Sequence, residues 1–313
     1  MINKGGVIHM AGTLVGSGKY TYEMHTDWAK LPEGWAMPAA AVYGDSEDNV
    51  YCFNRDPDHP IVIFDRGGNY INSWGKDLFA FPHAIILDPQ DNVWLVERNN
   101  GQIMKFTKDG ELLQTIGEKG YRSDTGADNT DFSSNGWKSV THGGAPFNLP
   151  AGIAINSVGE IFIADGYANA RVHKFDSSGN LITSWGGPGS GPGEFNLPHG
   201  CWIDKHDRLL IADRENDRIQ AFSQNGEYLT SLLSKLIGPA VMFVDDEDIV
   251  YCAEHNGGLI SIMNLQGEML AQWGSMTHRS CHGIWVDSNK DVYVVEPFEG
   301  SQGRTVVKFV RQQ

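Results

Sequence analysis

The sequence predicts an all-β chain folded as a six-bladed β-propeller whose ring is closed by an N-terminal strand. Three observations predict it. A pattern of short antiparallel strands recurs six times; the sixth copy runs out of chain before its last strand; and the residue leading into each copy alternates between histidine and alanine.

The third unit shows the pattern most fully. Over 154–165 an apolar run meets a turn and an alternating strand, followed by a polar loop, the alternating strand 170–175, and a Gly turn with the last strand over 179–186. Each piece alternates with a period of two and is punctuated by Gly, Asp, Asn or Ser, as short strands are. The same order recurs in five further copies whose second strands begin at residues 49, 92, 208, 249 and 291. A unit of four such strands cannot bury both faces alone, so copies stack radially. The last unit ends its third strand at Val310 in a chain of 313 residues. Residues 19–25, outside every repeat, alternate correctly and are expected to supply the missing strand and hide the open edge. The expected organisation is residues 1–37 as an N-terminal segment carrying the closing strand and 38–313 as the propeller, together one domain. Residues 118–146, rich in Gly, Ser, Asp and Asn, read as an insertion between units two and three, either a functional lid or disordered.

Composition narrows the function. The formal charge of −15, with no stripe of Lys and Arg, argues against nucleic acid and anionic membrane partners. Neither a basic start with an apolar run nor a membrane-length apolar stretch is visible, so a cytoplasmic protein acting on a small molecule is the expectation. Oligomeric state is not readable. The four cysteines, Cys52, Cys201, Cys252 and Cys281, have no CxxC spacing and read as buried free thiols.

The residues leading into the six innermost strands read Ala39 after Pro38, His83 after Pro82, Ala151 after Pro150, His199 after Pro198, Ala240 after Pro239 and His282 after Cys281. In a six-bladed ring, units two, four and six lie about 120° apart, so these histidines converge on the axis. Three imidazoles with an open fourth position form the ligand set of a catalytic zinc. Iron or manganese are the alternatives. The competing reading, that each is a turn or core histidine, fits any one alone but not the alternation. His9, His25, His173, His206, His255 and His278 read as structural or solvated, His173 on an outward-facing strand position; the loops of His59 and His142 could overhang the axis.

The run Ile211-Ala212-Asp213-Arg214-Glu215-Asn216-Asp217-Arg218 resembles an NHL repeat, and the ring from about Pro38 onward resembles the peptidyl-α-hydroxyglycine α-amidating lyases. The motifs carrying it are the Pro-His lead-ins, Ala164-Asp165-Gly166-Tyr167-x-Asn169-x-Arg171 and Ala212-Asp213-Arg214-Glu215-Asn216. The resemblance implies zinc on His83, His199 and His282, a base at Tyr167 and active-site arginines at Arg55 and Arg214. It also implies a structural calcium held by an aspartate after the third histidine; Gly283 stands there, which puts the calcium in question. Each residue also has a plain reading: a rim aromatic for Tyr167, an ion pair with Asp56 or Asp58 for Arg55, pairing within the blade for Arg214.

The function expected from this set is a zinc-dependent lyase or hydrolase acting on a hydroxylated carbon, of hemiaminal or α-hydroxy amide type. Two alternatives stand beside it: a metal-dependent lactonase, whose sites use carboxylates and Asn, and a non-enzymatic NHL interaction scaffold.

Overall fold

The computed structural model describes residues 12–274, 281–297 and 306–312. Ser280 of the third lead-in, His9, His278 and Thr305 lie outside them. Six antiparallel sheets form the ring. Blade 1 is built from Ala39–Gly44, Val50–Asn54, Ile61–Phe64 and Tyr70–Trp74. Blade 2 runs from Pro82–Leu87 to Leu112–Ile116, blade 3 from Pro150–Ile155 to Leu181–Trp185, blade 4 from Pro198–Ile203 to Tyr228–Ser234, and blade 5 from Pro239–Val244 to Met269–Gly274. Blade 6 contains Gly283–Val286, Val292–Val295 and Val306–Arg311, and Tyr20–His25 is its fourth strand.

The closing strand pairs antiparallel with Val306–Arg311, Tyr22 opposite Arg311 and Met24 opposite Phe309. Its alternation decides its seating: Tyr20, Tyr22 and Met24 are buried in the core between blades 5 and 6. A fifth strand, Thr13–Ser17, not expected from the sequence, adds to its outer side and is mostly exposed.

Apolar side chains are buried between blades rather than within them. One cluster lies at each of the six blade junctions; Val42, Val50, Cys52 and Phe64 of blade 1, for example, pack on Trp285, Tyr293 and Val295 of blade 6. Each fully buried large apolar side chain contributes about 1.5–3 kcal/mol, so a blade is stable only with neighbours on both sides. All four cysteines are free and buried.

The first hairpin of every blade is fixed by one polar side chain. Asp45, Asp88, Asn156, Asp204, Asp245 and Asp287 each accept the amide four residues on, at 2.8–3.0 Å. This is Asx-turn chemistry, and it explains why each innermost run ends in an acidic or amide residue.

Strand register corrects one expectation. Ala39 lies opposite Asn54, as Pro82 lies opposite Glu97 and Pro150 opposite Asp165. The equivalent of His83 and Ala151 in blade 1 is therefore Ala40, not Ala39, because Ala39 occupies the place that proline takes in blades 2 to 5. Histidine and alanine still alternate around the ring.

Residues 118–146 are ordered. Thr125 Oγ1 donates to the Ala168 carbonyl at 2.7 Å, Asn148 Nδ2 donates to the Ser123 carbonyl at 2.8 Å, and a 3-10 turn at Gly136–Ser139 lies against blade 3. No helix among the described residues is long and apolar enough to cross a membrane.

Candidate metal centre

His83, His199 and His282 meet on the axis, with ring centroids 4.8–5.0 Å apart and ligand nitrogens within 4.8 Å of one another. Their rings are aimed by the neighbouring odd-numbered blades. Each Nδ1 lies against a backbone carbonyl: His83 on Ala151 at 2.6 Å, His199 on Ala240 at 2.9 Å and His282 on Ala40 at 2.7 Å. A carbonyl can only accept, so each Nδ1 carries the proton and each Nε2 presents its lone pair to the centre. The alanines thus have a role beyond leaving space, since their carbonyls fix the tautomers.

This donor set fits a metal. The Nε2 atoms of His83 and His282 are buried and make no hydrogen bond, an arrangement costly for polar atoms unless something else engages them. Burial, reinforced by nearby cationic groups, holds all three imidazoles well below the usual histidine range, so they stay neutral and able to ligate. Below them the innermost strands enclose a cavity of about 40 Å³ lined by Ala84, Gly152 and Cys201, among others. Cys281 is buried, its Sγ 3.8 Å from Glu296 Oε1, and is not in the three-histidine cluster.

Tyr167 lies beside the cluster. Its hydroxyl is 3.0 Å from His199 Nε2, to which it can donate, and accepts from Arg214 Nη1 at 3.2 Å. Gly166 makes this position possible: a Cβ there would fall 2.1 Å from the Pro198 carbonyl oxygen. Leu149 and Leu197, just before the prolines leading into blades 3 and 4, are buried beside Tyr167 and hold φ of +61° and +64°, strained values for a bulky residue. Tyr167 is 3% exposed and so is not a rim aromatic.

Arg214 pairs within its blade, donating through Nε to Glu215 at 2.9 Å, and its Nη1 donates to the Tyr167 hydroxyl. Arg55 makes neither of the ion pairs suggested for it, because Asp56 bonds His59 and Asp58 pairs with Lys76. Its Nε donates to the Pro82 carbonyl at 3.3 Å, its guanidinium lies 4.0 Å over the Phe81 ring, and burial pushes its pKa down to about 10.

Two residues near the centre were not singled out from the sequence. Arg98, 2% exposed, lies 3.9 Å from the Phe81 ring and 4.7 Å from the Tyr167 ring. His255, read as a loop residue, has its ring 5.8 Å from that of His282, and burial with Arg214 nearby lowers its pKa to about 4. The signal for both was register: Arg55, Arg98, Arg214 and His255 each directly follow the residue that ends the second strand, Asn54, Glu97, Asp213 and Glu254. His173 is a correction: it is fully buried rather than outward-facing, bonding Asp165 and Ser184 with the Phe147 ring packed edge-on against it. His59 stacks on Trp35 and bonds Asp56, and His142 lies exposed near Asp124.

At the place where the resemblance implies a calcium-binding aspartate, Gly283 offers no side-chain oxygen. A Cβ there would fall 2.8 Å from Val295 Cγ2 and 3.2 Å from Ala41 Cα, so the packing has closed on the glycine.

A family model described as a 6-bladed beta-propeller matches residues 150–256. The rat peptidylglycine alpha-amidating monooxygenase is 30% identical over 241 residues, 66% of this chain and 22% of that protein. A peptidyl-alpha-hydroxyglycine alpha-amidating lyase of Drosophila melanogaster is 34% identical over 178 residues, 53% and 29% of the two chains. Human NHL repeat-containing protein 3 is 27% identical over 260 residues, 78% and 70%. The chain thus spans less than a third of the length of these rat and fly amidating relatives. Among solved structures, a gluconolactonase from Xanthomonas campestris superposes with a TM-score of 0.65 over 97% of this chain and 99% of that one, at 12% identity, which is a likeness of fold. The chain is a six-bladed β-propeller, and its resemblance to the amidating lyases and to NHL-repeat proteins holds across more than half its length.

Proposed function

We propose that this propeller is a metal-dependent lyase that splits the carbon–nitrogen bond of a small α-hydroxy amide, with His83, His199 and His282 holding the metal, zinc in the first instance. The observation that carries the reading is the set of three tautomer-locked imidazoles, two of whose Nε2 atoms have no partner in the protein. A bound zinc ion would supply Lewis acidity toward the substrate hydroxyl oxygen.

The remaining work falls to side chains of the chain itself. Tyr167, acting as its phenolate, takes the hydroxyl proton as general base, for which its oxygen beside the cluster is placed. The freed electron pair forms the carbonyl, the C–N bond breaks with its pair on nitrogen, and that nitrogen takes the proton back from Tyr167. The products are an aldehyde and a primary amide, with no other reactant consumed. Arg214 donates to Tyr167 and so stabilises its anionic form. Arg55, with no carboxylate at ion-pair distance among the described residues, is free to bind a substrate carboxylate through its planar fork.

The lactonase alternative has less support, since the converging donors are three imidazoles with no carboxylate among them. A comparison of turnover on an N-acyl-α-hydroxyglycine and on a small lactone tests the proposal. Release of glyoxylate and amide from the first, with none or little opening of the second, is expected; the reverse preference overturns it.

A further inference from the structure

We propose that the insertion at 118–146 is a positioning element for Tyr167 and that Arg98 is its latch. The inference rests on the reading of Tyr167 as the base.

Arg98 is a buried cation with no carboxylate at ion-pair distance among the described residues, and each of its three nitrogens donates within the chain. Nε donates to Asn99 Oδ1 at 3.0 Å, Nη2 to the Phe132 carbonyl at 2.8 Å and Nη1 to Ser134 Oγ at 3.3 Å. Two of these three partners belong to the insertion. The faces of the same guanidinium are occupied by Phe81, next to the His83 lead-in, and by Tyr167. One side chain therefore touches the insertion, the base and the approach to a metal ligand.

The insertion meets the Tyr167 segment independently at three further points. Gly136 lies so close that a Cβ would be 2.9 Å from the Tyr167 carbonyl oxygen and 3.3 Å from Ala168 Cβ. Thr125 Oγ1 donates to the Ala168 carbonyl. Trp137 packs on the small core of Leu149, Ala151, Tyr167, Ala168 and Leu197. The backbone there is otherwise held by two bonds of 3.2 Å, from the Tyr167 amide to Leu149 and from the Ala168 amide to Asn148, and Asn148 is itself tied by its side chain to Ser123 and Asn129 of the insertion. Tyr167 thus sits on a turn whose outer wall is the insertion.

The test is amide hydrogen exchange on the zinc-loaded full chain, read beside steady-state kinetics. In Arg98→Gln, exchange at 122–140 and at 166–169 is expected to rise about tenfold or more, with blade strands unchanged. Metal content should equal wild type, and kcat should fall about tenfold or more with KM within about twofold, as displacement of a base predicts. Arg98→Lys, which keeps the charge without the fork, should recover part of both. Gly136→Val approaches from the insertion side and should give the same pattern; it decides the matter should Arg98→Gln fail to fold. Loosening of 122–140 with wild-type exchange at 166–169, or with unchanged kcat, overturns the proposal. A wild-type protein inactive on every α-hydroxy amide would instead count against the lyase reading, and exchange at 166–169 would still decide whether the insertion holds Tyr167.

Discussion

Tyr167 carries the largest single expectation at the scale of residues. Replacing it with Phe removes the proton acceptor and leaves the three ligands in place, so kcat should drop by about 10²–10⁴-fold while metal content is retained; loss of metal together with activity would show a structural or ligating role instead. The histidines give a pH prediction. Burial lowers the pKa values of His83, His199, His282 and His255 below the ordinary histidine value of about 6.5, so below that pH the unfolded chain takes up protons that the native state refuses. Their contribution is intact above 6.5 and is lost as pH falls, by about 1.4 kcal/mol per pH unit for each histidine within its window. The metal-free protein should therefore melt at a clearly lower temperature at pH 5 than at pH 7, and a flat profile would contradict the neutral, buried cluster.

Among the elements, the closing strand is where sequence and packing agree most closely. Met24 is fully buried between blades 5 and 6, and Met24→Ala should cost about 2–5 kcal/mol. Leu14, on the added outer strand and 61% exposed, should cost about 0.5 kcal/mol or less when changed to Ala. Comparable losses in chemical denaturation would mean the edge is held otherwise. The blades were legible because each repeats a period-two pattern and an Asx turn, both local signals. Ala40 was misplaced by one because Ala39 stands where other lead-ins carry proline, and only pairing with Asn54 fixes the register. The insertion was half legible. Its length and composition marked it, but its order comes from long-range bonds to Ala168, Asn148 and Arg98, which no local pattern encodes. Arg98 was overlooked because Val96-Glu97-Arg98 differs from the Ala-Asp-Arg wording of blade 4 while sharing its register.

For the whole molecule, the ring converts a weak motif into geometry. A histidine after a proline signifies little alone; three on alternate blades must converge, and the carbonyls of Ala40, Ala151 and Ala240 on the blades between them turn each ring the same way. The overall charge of −15 contrasts with the three arginines gathered at the centre, Arg55, Arg98 and Arg214, of which only Arg214 has a carboxylate partner at ion-pair distance among the described residues. All of this turns on the metal. Elemental analysis of wild type and His199→Ala, each incubated with zinc and then freed of excess, tests it most directly. The account predicts about one zinc per wild-type chain and about 0.1 or less in the variant, since two remaining imidazoles hold the ion far more weakly; equal content in both, or none in the wild type, would contradict it.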